Sequence, residues 1–117
     1  MLTTHRHADH AGGNLALRKH YPACVFVAGA KDNCAGTTKP VVDGENLSFG
    51  ETHLSVVETP CHTDGHVVYL IHSKPAIEGE KHGHEVEAAL TGDCLFIGGV
   101  GTNSCLLSNA TQVTTTF

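Results

Sequence analysis

The chain has 117 residues, the size of one small domain with one core. Seven Lys and Arg against twelve Asp and Glu give a formal charge of −5, which argues against nucleic-acid binding through a broad basic face. Hydrophobic residues make up 40% and aromatics only 5%, so the core must be aliphatic, and no apolar run is long enough to cross a bilayer. The five cysteines (Cys24, Cys34, Cys61, Cys94 and Cys105) are odd in number and contain no CxxC pair. They read as reduced thiols rather than a disulfide framework. Charge and His arrive by residue 5, without a signal-peptide pattern. The expected compartment is the cytoplasm, with a mitochondrial location left open.

Residues 1–4 read as the end of a β-strand. His5, His7, Asp9 and His10 follow, three imidazoles and a carboxylate within six positions. Alternate residues of an extended chain share a face, so His5 and His7 can point at one spot. Asp9 and His10 can turn toward a second as the chain bends through 9–13. These are ligands that zinc, iron and manganese accept. A helix is expected over 14–20, with Asn14 as N-cap and Lys19 and His20 suited to its C-terminus. Residues 25–28 form an apolar run that reads as a buried strand. Residues 29–44 look loop-like, with turn signals at Lys39-Pro40 and Asp43-Gly44. Residues 47–49 and 54–57 read as strands around a turn at Gly50-Glu51.

Residues 59–66 are a polar loop in which Pro60 stiffens the approach to His62 and Gly65 permits a turn. Residues 67–71 carry the strongest strand signal, and 74–87 read as a polar surface loop. A strand over 88–90 leads into Thr91-Gly92-Asp93. Residues 95–97 are apolar, and glycines dominate 98–101. The tail is rich in Thr and Ser and free of charge. Without repeats or a linker, the expected organisation is one domain over 1–101 and an unstructured tail over 102–117.

Each polar cluster follows an apolar strand, and a rigid sheet holds such loops in place. Alone, His62 is a loop residue and Asp93 a turn. Beside the first cluster both become candidate ligands, and the two oxygens of Asp93 suit a bridge between two cations. His66 is either a hydrogen-bonding partner of a ligand or a plain loop residue, and stays outside the ligand set. His20, His53, His72, His82 and His84 are expected to be solvated. Cys61 and Cys94 read as small packing residues rather than nucleophiles.

Three segments then carry a family resemblance. Thr4-His5-Arg6-His7-Ala8-Asp9-His10-Ala11-Gly12-Gly13-Asn14 resembles the THxHxDHxGGN signature of the metallo-β-lactamase fold. Thr59-Pro60-Cys61-His62-Thr63-Asp64-Gly65-His66 resembles the second motif of its hydroxyacylglutathione hydrolase (glyoxalase II) branch. Thr91-Gly92-Asp93-Cys94-Leu95-Phe96 resembles the third. The likeness runs from about residue 2 to 101. It implies an α/β fold, a sandwich of two mixed sheets with helices outside. Here that is a partial αββα sandwich, lacking the N-terminal strands and the C-terminal helical region.

The resemblance also implies a dinuclear centre, commonly zinc, with iron or manganese as alternatives. His5, His7 and His62 would hold the first cation, Asp9 and His10 the second, and Asp93 would bridge. Asp9 would also orient the attacking water. The implied activity is hydrolysis of S-D-lactoylglutathione to glutathione and D-lactate in methylglyoxal detoxification. The implied partner is a small glutathione thioester, with neither nucleic acid nor membrane.

The chain departs from the family pattern in places. No His follows His84, although the family places a further second-metal ligand beyond the Asp93 motif. Thr102-Asn103-Ser104 stands where a basic glutathione-binding residue is expected. Arg6 and Ala8 replace a His and an aromatic. Weak metal retention biased to the first site is therefore expected. The competing readings are a persulfide dioxygenase-like enzyme with one iron on His5, His62 and Asp93, and a truncated metal-binding product of weak or no activity.

Overall fold

The computed structural model describes residues 1–75 and 85–102. Strands β1 (Leu2–Thr3), β2 (Val27–Gly29) and β3 (Lys39–Val41) form a parallel sheet in the order β1-β2-β3. Strands β4 (Asn46–Phe49), β5 (Thr52–Glu58), β6 (Val67–His72) and β7 (Val86–Leu90) form an antiparallel sheet in chain order. The crossover from β1 to β2 carries helices α1 (Ala8–Ala11) and α2 (Asn14–His20). A one-turn 3₁₀ helix, Ala30–Asp32, follows β2.

The two sheets pack face to face. In a strand, every second side chain points the same way. Leu54 and Val56 of β5 and Val67 and Tyr69 of β6 therefore meet Val27 and Val41 of the parallel sheet in one buried cluster. The intervening Ala28 faces the other way and packs with Ala11 and Cys34 beneath the helices. Tyr69 locks the layers together, its buried hydroxyl donating to the Thr3 carbonyl at 2.9 Å. Val67 N–H donates to the Thr4 carbonyl at 2.9 Å, so the end of β1 is tied to the start of β6.

The α/β class and partial sandwich expected from the sequence are present, with several local differences. Neither sheet is mixed, because one is wholly parallel and the other wholly antiparallel. Residues 8–11 form a helical turn where a bend was expected. Gly13 caps α2, and Asn14 sits inside the helix, where its buried amide donates to Thr3 Oγ1 at 3.1 Å. Lys39-Pro40 lies in β3 rather than a turn. Proline is tolerated there because β3 is an edge strand, where a missing N–H breaks no ladder. Strand β7 begins at Val86, inside the expected surface loop.

His72 is buried rather than solvated, with Nε2 2.7 Å from Ser55 Oγ. Cys24, Cys34, Cys61 and Cys94 are free thiols. His82, His84, Cys105 and the tail expected over 102–117, save Thr102 itself, lie outside the described residues. Among the described residues, no helix is long and apolar enough to cross a membrane.

Removing the Tyr69 hydroxyl leaves the buried Thr3 carbonyl without that donor. Tyr69→Phe is expected to lower the unfolding free energy by about 1–2 kcal/mol, read by urea denaturation. An unchanged midpoint would show that the hydroxyl does not join the sheets.

Candidate metal centre

Strands β5 and β7 both run antiparallel to β6, so they share a direction and their following loops leave the same end of the sheet. The Val67–Thr4 bond brings the end of β1 to that place. Three loops thus meet: residues 4–10 after β1, residues 59–66 after β5, and residues 91–93 after β7.

At their meeting point the ring nitrogens of His5, His7 and His62 converge. His7 Nδ1 lies 3.1 Å from His5 Nε2 and 2.9 Å from His62 Nε2. Asp93 spans from this group to His10, with Oδ2 3.3 Å from His62 Nε2 and Oδ1 3.0 Å from His10 Nε2. Two sets of donor atoms fall within 4.8 Å of one another: His5, His7 and His62, and His5, His10 and Asp93. Asp9 belongs to neither set. Its side chain is 76% exposed, and its Oδ2 lies 3.4 Å from His10 Nε2 at the rim.

The donor chemistry fits a divalent cation. His62 Nδ1 faces the Thr102 carbonyl at 2.9 Å, and a carbonyl only accepts, so this nitrogen carries the proton. In an uncharged ring, Nε2 then presents a lone pair toward Asp93 and His7. Likewise, His7 Nδ1 has either one lone pair or one proton to serve two neighbouring nitrogens. Lone pairs so close to a carboxylate repel unless a positive charge sits among them, and imidazole and carboxylate are zinc's ordinary N and O donors.

Burial, reinforced by the neighbouring His10, His66 and His62, lowers the pKa of His5 to about 4. Its ring is uncharged at neutral pH, the form a metal takes. Thr4 Oγ1 lies 3.1 Å from His5 Nδ1 and, with the Thr102 carbonyl at His62, orients these rings.

Two further residues pack around the donors: His66, which the sequence left between a ligand's partner and a plain loop residue, and Asp32, which carries no sequence signal. His66 is fully buried, its ring stacked on His5 at a centroid distance of 4.9 Å. Its Nδ1 lies 2.8 Å from Thr59 Oγ1, whereas its Nε2 has no hydrogen-bond partner among the described residues. Burial is the first cause that lowers its pKa to about 4. Asp32 is also buried at this end of the fold. Its partners lie 26 to 33 residues away in sequence, beyond any local pattern.

No family model matches the chain. Over 102 residues it is 39% identical to the cytoplasmic hydroxyacylglutathione hydrolase of Arabidopsis thaliana, covering 86% of this chain and 36% of that protein. A crystal structure of ETHE1 from Myxococcus xanthus superposes with a TM-score of 0.70 at 28% identity, over 96% of this chain and 43% of that one. A metallo-β-lactamase from Staphylococcus aureus superposes with a TM-score of 0.70 at 22% identity, over 89% of this chain and 31% of that one. Fold and sequence place the chain among proteins of the metallo-β-lactamase fold. Within that fold it is a sequence relative of the hydroxyacylglutathione hydrolases, and it spans only about a third of their length.

Gly92 lets the β7 loop close onto the site. Its φ is +51°, and an added Cβ would meet Thr4 Oγ1, lying 2.8 Å from Thr4 Cβ and 2.9 Å from His66 Nε2. Gly92→Ala is expected to cost about 1–3 kcal/mol of stability by overpacking and left-handed strain, measured by denaturant unfolding. A neutral result would show that this approach is not tight.

Proposed function

We propose that this chain carries the metal-binding part of a hydroxyacylglutathione hydrolase-type thioesterase, which splits S-D-lactoylglutathione into glutathione and D-lactate. The observation that carries the reading is the convergence of His5, His7, His62, His10 and Asp93 from three strand ends. The named relatives support the substrate class. His5, His7 and His62 are assigned to the first cation. Asp9 and His10 are assigned to the second, with Asp93 between the two. Zinc is the metal proposed, with iron or manganese as the alternatives. The name of the Arabidopsis relative supports a cytoplasmic setting.

A divalent cation held there polarises a carbonyl oxygen and lowers the pKa of coordinated water from about 15.7 to about 7. The chain's own groups do the rest. Thr4 and the Thr102 carbonyl fix the His5 and His62 rings. Asp9, exposed at the rim beside His10, is assigned the role of orienting the attacking water. The departing group is a thiolate whose acid has a pKa of about 8.5, so little general-acid help is needed. A centre rich in bases, with no evident proton donor for the leaving group among the described residues, suits a thioester.

The likeness to ETHE1 favours a second reading, a persulfide dioxygenase-like enzyme with one iron on His5, His62 and Asp93.

The test is metal stoichiometry and thioester hydrolysis on one folded, zinc-loaded sample, with oxygen uptake on glutathione persulfide measured on an iron-loaded one. The expected result is bound zinc and thioester cleavage. His7→Ala and His62→Ala should each weaken zinc binding by about tenfold or more. Zinc content equal to the parent's in both variants would overturn the ligand assignment. Oxygen uptake without thioester cleavage would favour the second reading.

A further inference from the structure

Asp32 stands outside the cluster of donors yet touches the backbone of two loops that form it. Its side chain is fully buried at the end of the Ala30–Asp32 turn. Oδ2 accepts from Arg6 N–H at 2.7 Å and from Thr63 Oγ1 at 2.7 Å. Oδ1 accepts from Gly65 N–H at 2.8 Å and from the Arg6 guanidinium at 3.0 Å. Arg6 lies between His5 and His7, Thr63 follows His62, and Gly65 precedes His66. Both oxygens of one carboxylate therefore bind both loops at once.

The fit is close at the backbone as well. A Cβ on Gly65 would lie 2.6 Å from Lys31 C and 2.8 Å from Asp32 Cα. The 59–66 loop thus rests directly on the Asp32 turn, with no side chain between them to absorb a shift.

We infer that Asp32 is a positioning residue that sets the spacing of His5 and His7 against His62, and so sets the cation affinity of the first site. This rests on the metal-dependent reading proposed above. A carboxylate is suited to the task because all four groups facing it can donate. An Asn could match fewer of them. With its amide at the Oδ1 position, it would face the Gly65 N–H and the guanidinium, both donors only. With its amide at the Oδ2 position, Thr63 could turn to accept, but Arg6 N–H would still lose its partner. Either way a loop bearing a ligand loses an anchor.

The experiment compares the parent chain with Asp32→Asn, Thr63→Val and Ser55→Ala. The last removes the buried β5–β6 hydrogen bond between Ser55 Oγ and His72 Nε2 without touching either anchored loop. Zinc affinity is read by competition with a chelator, well below each variant's unfolding temperature. In parallel, proximity of the His7 and His62 rings, whose nitrogens are 2.9 Å apart, is read by nuclear Overhauser effects in zinc-free protein. Asp32→Asn is expected to weaken zinc binding by about 10–100-fold and to lose the His7–His62 signal, while Ser55→Ala keeps both.

Parent-like affinity and an intact ring signal in Asp32→Asn overturn the inference. So does an equal loss in Ser55→Ala, which would reduce Asp32 to a general stabiliser. If Asp32→Asn does not fold, Thr63→Val decides by the same two readings. If the parent itself binds no zinc, the metal-dependent reading fails. The ring signal in Asp32→Asn then decides alone, its loss supporting the positioning role and its retention overturning it.

Discussion

One backbone hydrogen bond, from Val67 N–H to the Thr4 carbonyl, makes a single site out of three loops. It joins the last residue before His5 to the first residue of β6. Because β5 and β7 flank β6 and share a direction, everything that follows those strands then opens beside His5. The hydroxyl of Tyr69 on the Thr3 carbonyl reinforces the same junction from within the core. Loops of this kind gain their precision from the sheets beneath them. Here the core cluster of Val27, Val41, Leu54, Val56, Val67 and Tyr69 supplies that base.

What the junction creates is electrostatically costly in the absence of a cation. Several ring nitrogens and a carboxylate are held within hydrogen-bonding range, and two of the rings, His5 and His66, are wholly buried. Burial and mutual repulsion both disfavour protonating them, the pattern expected where ligands are held ready for a metal. Structural ion pairs of this fold do the opposite. Asp32 is buried yet surrounded by four donors, so its charge is compensated by the chain itself. One end of the molecule therefore holds a satisfied carboxylate beside an uncompensated cluster of bases, and the first holds the second in place.

The metal-ligand candidates were legible because their chemistry is written locally. His5, His7, Asp9 and His10 are packed into six positions, and His62 and Asp93 each follow an apolar strand. Strands β2, β5 and β6 were legible for the same reason, since apolar runs and period-two alternation are local properties. What stayed hidden depends on partners far along the chain. Asp32 looks like an ordinary turn residue until Arg6, Thr63 and Gly65 are folded against it. His72 looks solvated until β5 places Ser55 beside it, and Asn14 looks like a cap until Thr3 takes its amide. Pro40 read as a turn because its edge-strand position is set by sheet order, which no local pattern records. Asp9 illustrates the converse. Its motif position is plain, yet the fold leaves it at the rim rather than in either converging set.

Cys61 and Cys94 adjoin His62 and Asp93 in sequence, and both are free thiols, the soft donors that would compete with the histidines for a zinc ion. X-ray absorption at the zinc edge distinguishes the two most directly. Coordination by the gathered histidines gives a first shell of nitrogen and oxygen at about 2.0–2.2 Å with the outer-shell pattern of several imidazoles. A sulfur shell at about 2.3 Å would contradict it, because thiolates and not the gathered histidines would then hold the metal.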